Sequence, residues 1–190
     1  MLPEELQNSC QLYGVEEDSV SGRIAQQLYQ KSTIAVQAFE KTNIPDNFFD
    51  IAVGNVPFGE YKLNDRRYDQ YKFLIHDYFF AKTLDKVRPG GIVAFVTSKG
   101  TMDKENNVVR KYLSQRAELV GAIRLPDNTF KGSAGTEVTS DIIFLKKRDK
   151  ITDIEDDWVN IDTNEDGIRM NKYFVDNPDM ILGHMQMVSG

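Results

Sequence analysis

The sequence predicts an α/β fold built on a mostly parallel sheet with helices on both faces. Along the chain, apolar residues alternate between short β-branched runs and stretches spaced three to four residues apart. Most consecutive strand candidates are separated by a helix candidate, the connection that parallel strands require. The composition, 41% apolar and 27% charged over 190 residues, is that of a globular chain long enough to bury a core without disulfides.

The elements follow in order. Residues 11–15 (QLYGV) form a strand ending at Glu16, Glu17 and Asp18. Ser19 or Ser21 could cap the next helix, which places Ile24, Ala25, Leu28 and Tyr29 on one face. TIAVQAF (33–39) is a second strand, and FFDIAVG (48–54) reads as a third, buried on both faces. Residues 55–68 are polar and form a loop, followed by a long helix over 69–87. Arg88-Pro89-Gly90-Gly91 stops that helix, and GIVAFVT (91–97) is a buried strand. A helix over 105–116 and strands at 117–125 and 139–145 complete the body. No good helix joins those last two strands, so an antiparallel arrangement is expected there.

Charge is unevenly placed. The net charge is −6, yet residues 151–190 hold nine of the 29 acids and two of the 23 basic residues, leaving the first 150 nearly neutral. A neutral body argues against a tight free-standing DNA binder without forbidding local basic contacts. The break near Lys150 predicts a boundary, with 1–150 as the main domain and 151–190 as an acidic extension leading into a further domain. A single cysteine, Cys10, excludes a disulfide framework, and the two histidines, His76 and His184, do not suggest a metal centre. No apolar run has membrane-span length and no signal-peptide pattern opens the chain, so a soluble cytoplasmic protein is expected.

Open parallel sheets bind ligands at the carboxyl ends of their strands. Asn55-Val56-Pro57-Phe58, directly after a strand, is the most informative such end. Pro57 fixes its own φ and pushes Val56 toward extended geometry. The Asn55 side-chain oxygen and the Val56 carbonyl can then serve as paired acceptors beside the Phe58 ring. Two acceptors and an aromatic face suit a planar ring carrying an exocyclic amine, such as adenine. The same residue types also make an ordinary tight turn.

NVPF preceded by FDIAVG resembles the (D/N/S)-P-P-(Y/F) motif of amino-directed, S-adenosylmethionine-dependent methyltransferases, above all the adenine-N6 DNA type. LYGVEEDSVSGRIAQQLY resembles that family's motif II region, and VRPGGIVAFVTSKGTMD its following strand and loop. AELVGAIRLPDNTFKGSAGTEVTSDIIFLKKRD resembles the closing strands of type I restriction-modification subunits and of large helicase-methylase polyproteins. The resemblance runs from about residue 11 to 149 and implies a Rossmann-like methyltransferase fold whose last strand is antiparallel.

It also implies roles. Glu16, or failing it Glu17, would hold the cofactor ribose; Phe39 or Glu40 would flank the cofactor adenine. Asn55, Val56, Pro57 and Phe58 would hold the target base, with Phe58 and Phe130 packing against it after extrusion from the duplex. Lys62, Arg66 and Arg67 would lie near DNA phosphates, although solvated loop charges read equally well. The cofactor would be S-adenosylmethionine and the partner DNA, read with a target-recognition domain.

The departures from the pattern shape the expectation. Val56 stands where the family has its first proline, and no Gly-x-Gly occurs anywhere in the chain. The first strand and its glycine-rich loop are therefore expected to be absent, which makes the chain a fragment that binds S-adenosylmethionine weakly and is inactive alone. Its sheet would have to close a gap, swap a strand with a second copy in a homodimer, or leave edges open. Other readings are protein glutamine N5-methylation and a degenerate, non-catalytic interaction module. His76 is expected to be a buried core residue and Trp158 an anchor for the acidic extension.

Overall fold

The computed structural model describes residues 9–130, 138–183 and 185, and its chain divides into two compact units, 1–44 and 45–190. The division falls after Ile44 rather than near Lys150. Among the described residues no helix is long and apolar enough to cross a membrane.

The first unit holds β1 (Tyr13–Glu16), α1 (Ser19–Leu28) and β2 (Thr33–Val36). The two strands pair in parallel, Tyr13 opposite Thr33 and Glu16 opposite Val36, with α1 as the crossover. Asp18, not either serine, caps α1: its carboxylate accepts from the Ser21 backbone N–H at 2.7 Å. Gly22 is the buried residue of α1, and a Cβ there would lie 2.8 Å from both Val36 methyls, so only glycine lets the helix approach β2 this closely. Ile24, Leu28 and Tyr29 of the expected apolar face are 53%, 70% and 49% exposed.

The second unit is organised on a four-stranded sheet of β3 (Phe49–Asn55), β4 (Val87–Ser98), β5 (Ala117–Leu125) and β6 (Ser140–Lys147), in the order β3-β4-β6-β5. β3 runs parallel to β4, and β6 runs antiparallel to both β4 and β5. β3, β4 and β5 therefore point the same way and leave the sheet at one edge. The antiparallel pairing of β6 with β5 is the arrangement expected from the lack of a good helical pattern in the sequence between those two strands.

α2 (Ile75–Lys86) covers one face of the sheet. Phe80 and Ala81 are fully buried, and the Phe80 ring meets Phe95 of β4 edge-on at 5.1 Å. Alternate β4 residues, Val93, Phe95 and Thr97, are buried while Ile92, Ala94 and Val96 between them are half-buried, so one face is dry and the other only partly covered. β3 departs from the buried strand expected: among the described residues it has one neighbour, and Ile51 and Val53 are 61% and 74% exposed.

The helix expected over 69–87 begins later. Asp69–Tyr71 is a single 3₁₀ turn, closed by Lys72 in left-handed geometry (φ 55°), and α2 starts at Ile75. The break lets Tyr71 and Phe73 stack at 5.1 Å and both meet Tyr112 edge-on. The helix expected over 105–116 is the shorter α4 (Val108–Ser114), and a separate helical turn, α3 (Gly100–Asp103), precedes it.

The acidic extension packs onto this body. It forms the hairpin β7 (Ile161–Thr163) and β8 (Arg169–Asn171), followed by α5 (Lys172–Asp176). Trp158, Val159, Met170 and Phe174 are all buried. Asn171 is fully buried with its polar atoms matched: Nδ2 donates to the Met102 and Trp158 carbonyls, and Oδ1 accepts from the Tyr173 N–H. Arg124 grips Asp141 through two bonds of 2.8 and 2.9 Å, reaches Asp103 at 2.8 Å, and lies over the Phe174 ring. Burial pushes Asp141 up while its carboxylate partners hold Arg124 protonated. Because arginine keeps its charge, this two-point geometry is that of an ionised pair.

Candidate active site

Asn55 closes β3 at the edge where β4 and β5 also end. It is exposed, and its side-chain amide makes no hydrogen bond to any described residue. The next residue, Val56, is buried at 3% exposure and donates its N–H to the Val96 carbonyl at 3.1 Å. That bond extends the β3–β4 ladder by one step and fixes where the turn begins. The Val56 carbonyl accepts nothing from the described residues. Pro57 is half-buried and Phe58 is 42% exposed. Two acceptors and a ring are thus left open on a turn whose root is held by the sheet.

The loop behind this turn is anchored by buried polar contacts. Asp65 accepts from the Tyr78 hydroxyl at 2.7 Å and from the Lys82 ammonium at 3.2 Å, both on α2. Burial pulls its carboxyl upward, but these hydrogen bonds outweigh burial and hold it below the ordinary aspartate range. Tyr68 is buried and donates to Asp85 at 2.6 Å, so burial and the carboxylate together push its phenol far up. Nearer the turn, the Tyr61 carbonyl accepts from the Ile75 N–H at 3.0 Å, tying the loop to the start of α2. The Tyr61 ring occupies the space a Cβ on Gly59 would need, 2.6 Å from its Cε1. The role of Asp65 was hidden in an Asn-Asp pair that reads as a turn. Tyr61 carried one visible signal, an aromatic three residues after Phe58.

Lys62 and Arg66 are exposed. Arg67 is placed differently, with its guanidinium paired to Asp46 at 2.8 Å and Asp85 at 2.9 Å at the base of the loop. Phe130 is half-buried and ends a turn closed by the Thr129 N–H to the Pro126 carbonyl. It follows β5, on the same sheet edge as Asn55 but with β4 and β6 between. Three strand spacings separate β3 from β5, about 14 Å. His76 is buried on α2 beside Asp77 at 3.3 Å; burial lowers the imidazole and raises the carboxyl.

In the first unit, Glu16 ends β1 half-buried, and its Oε1 accepts from the Asp18 N–H at 2.9 Å. Its other oxygen accepts nothing from the described residues, while Glu17 is exposed. Phe39 and Glu40 lie half-buried in the one-turn 3₁₀ helix after β2, at the same end of the two-stranded sheet. One open carboxylate oxygen and a ring thus lie at the same end of this unit's sheet. The sequence holds no Gly-x-Gly loop.

Comparison with known proteins places the chain in a family and a fold. The family described as N-6 DNA Methylase matches residues 4–178. Defense against restriction protein B of Escherichia phage P1 is 36% identical over 138 residues, 70% of this chain but only 6% of that much longer protein. The M protein of the type I restriction enzyme EcoKI superposes with a TM-score of 0.59 at 19% identity, covering 77% of this chain and 33% of that one. A Vibrio vulnificus YJ016 chain assigned as a type I modification subunit gives a TM-score of 0.61 at 14% identity, covering 92% and 51%. At such identities the structures speak for the fold, that of S-adenosylmethionine-dependent methyltransferases. The family match spans nearly the whole sequence: the chain belongs to the N-6 DNA methylase family.

Proposed function

We propose that this chain carries the target-base half of an adenine-N6 DNA methyltransferase, with S-adenosylmethionine as donor and DNA as substrate, and that by itself it binds the donor weakly. The observation that carries the reading is the pair of open acceptors at Asn55 and Val56 beside the exposed Phe58 ring. Bound S-adenosylmethionine would supply an electrophilic methyl group. Glu16, with Glu17 as its fallback, would accept from the ribose hydroxyls, and Phe39 or Glu40 would flank the adenine ring.

The chain's own contribution is positioning. An adenine amine is a poor nucleophile because its lone pair is delocalised into the ring. Donating both N–H bonds, one to the Asn55 oxygen and one to the Val56 carbonyl, favours a pyramidal nitrogen whose lone pair is available. Phe58 would stack on the extruded base and offset part of the few kcal/mol that extrusion costs. Preorganised acceptors do this work without a strong general base. Phe130 is the second candidate for stacking, and Lys62 and Arg66 for the phosphates. The partners supported by the type I likeness are DNA and a target-recognition subunit or domain.

The test uses a duplex in which 2-aminopurine replaces one adenine. Micromolar chain should raise its fluorescence, as an unstacked base requires, and Asn55→Ala and Phe58→Ala should each reduce that rise about tenfold. Isothermal titration with S-adenosylmethionine should show affinity weaker than micromolar. A duplex that stays dark with wild-type chain would overturn the DNA reading, and tight donor binding would overturn the second clause.

A further inference from the structure

The loop after the Asn55 turn holds an aromatic residue that the reading above leaves without a task. Tyr61 is 54% exposed, so it is no core filler, yet its placement is fixed at two points. Its carbonyl takes the Ile75 N–H at the start of α2, and its ring lies where a side chain on residue 59 would have to be. A Cβ on Gly59 would sit 2.6 and 2.7 Å from Tyr61 Cε1 and Cδ1, so glycine at that position is what lets the ring settle there.

Its surroundings suit one kind of ligand. Phe58, the other exposed ring of the loop, is three residues away in the sequence, and Lys62 and Arg66 are exposed in the same loop. The remaining basic residue, Arg67, is held by two carboxylates, and Asp65 and Tyr68 fasten the far end of the loop to α2 and Asp85. An anchored loop presenting rings together with cations that have no carboxylate partner among the described residues is an arrangement suited to single-stranded or unstacked nucleotides. We propose that Tyr61 packs against a nucleobase of the DNA next to the one held at Asn55–Phe58, as a positioning residue for the target strand. This inference rests on the DNA reading and adds a second contact to it.

Photo-crosslinking separates the two. A duplex carrying 5-iodouracil on either side of a mismatched adenine is irradiated with micromolar full chain, and adducts are mapped by peptide mass spectrometry. Adducts are expected at Tyr61, retained in Tyr61→Phe. Tyr61→Ala should lower affinity for the same duplex about tenfold. Gly59→Ala, which leaves the tyrosine in the sequence but displaces its ring, should cut the Tyr61 adduct by a similar factor while circular dichroism stays unchanged. Adducts confined to Phe58 or Phe130, or a Tyr61 yield indifferent to Gly59→Ala, would overturn the role of Tyr61 and leave the methyltransferase reading standing. No adduct anywhere on the chain would overturn both.

Discussion

Asp65 shows how a single residue can decide whether a site is rigid. It sits in a loop, with 17% of its side chain exposed, and joins that loop to α2 through the Tyr78 hydroxyl and the Lys82 ammonium. Its carboxyl lies below the ordinary range because those bonds favour the charged form over the pull of burial. A depressed carboxyl contributes stability in full above the unfolded value, about 3.9, and loses it as pH falls through the folded value. Asp65→Asn should therefore cost about 2 kcal/mol at pH 7, the worth of a charged hydrogen bond and of the carboxylate removed from Lys82. In urea denaturation the gap to wild type should shrink as pH drops below about 4. An equal gap at pH 7 and pH 3 would mean that the contact is not ionic. None of this was legible locally, since the partners lie 13 and 17 residues away. Arg67 teaches the same lesson: as a loop cation it suggests a phosphate contact, and only the fold brings Asp46 and Asp85 to it. The reading of Asn55 and Val56 needs no distant partner, because a proline constrains the residue before it locally.

At the scale of elements, apolar runs marked every strand of the body, and the lack of a helical pattern in the sequence after residue 125 pointed to the antiparallel β6. Helix limits were less legible. The pattern from 69 to 87 has helical spacing throughout, but Tyr71 and Phe73 pack on Tyr112 of α4, and that long-range contact keeps the first part out of α2. β3 marks a second limit. Its run of apolar residues reads as a strand buried on both sides, whereas among the described residues it pairs only with β4. The difference is measurable. Val53→Thr keeps the β-branched shape at a position 74% exposed and should change stability by less than about 0.5 kcal/mol. Val93→Ala, at a fully buried position of β4, should cost about 2 kcal/mol or more. A large or concentration-dependent cost at Val53 would instead reveal that the open edge is covered in solution, either by a second copy or by another strand.

Over the whole molecule, composition and contact give different boundaries. Charge changes abruptly near Lys150, yet the extension beyond it inserts Trp158, Val159, Met170 and Phe174 into the body and shares Asp103 with Arg124 through the Asn171 N–H. Arg110, itself 1% exposed, donates to the Val159 carbonyl at 2.8 Å. A solvated acidic surface and a buried underside belong to the same segment, and charge counting registers only the former. Contacts thin out instead around Ile44, where the two compact units divide. Limited trypsin digestion should therefore cut first near Lys41 and leave a protease-resistant piece that starts between about residue 42 and 48 and retains the acidic extension. Cleavage after the exposed Lys150 should leave its two products co-eluting on gel filtration, because separating them would expose the four buried side chains of the extension. A stable product ending near residue 150 would show that the extension is a separate domain, and would remove Asn171 and Phe174 from the account of how Arg124 is held in the body.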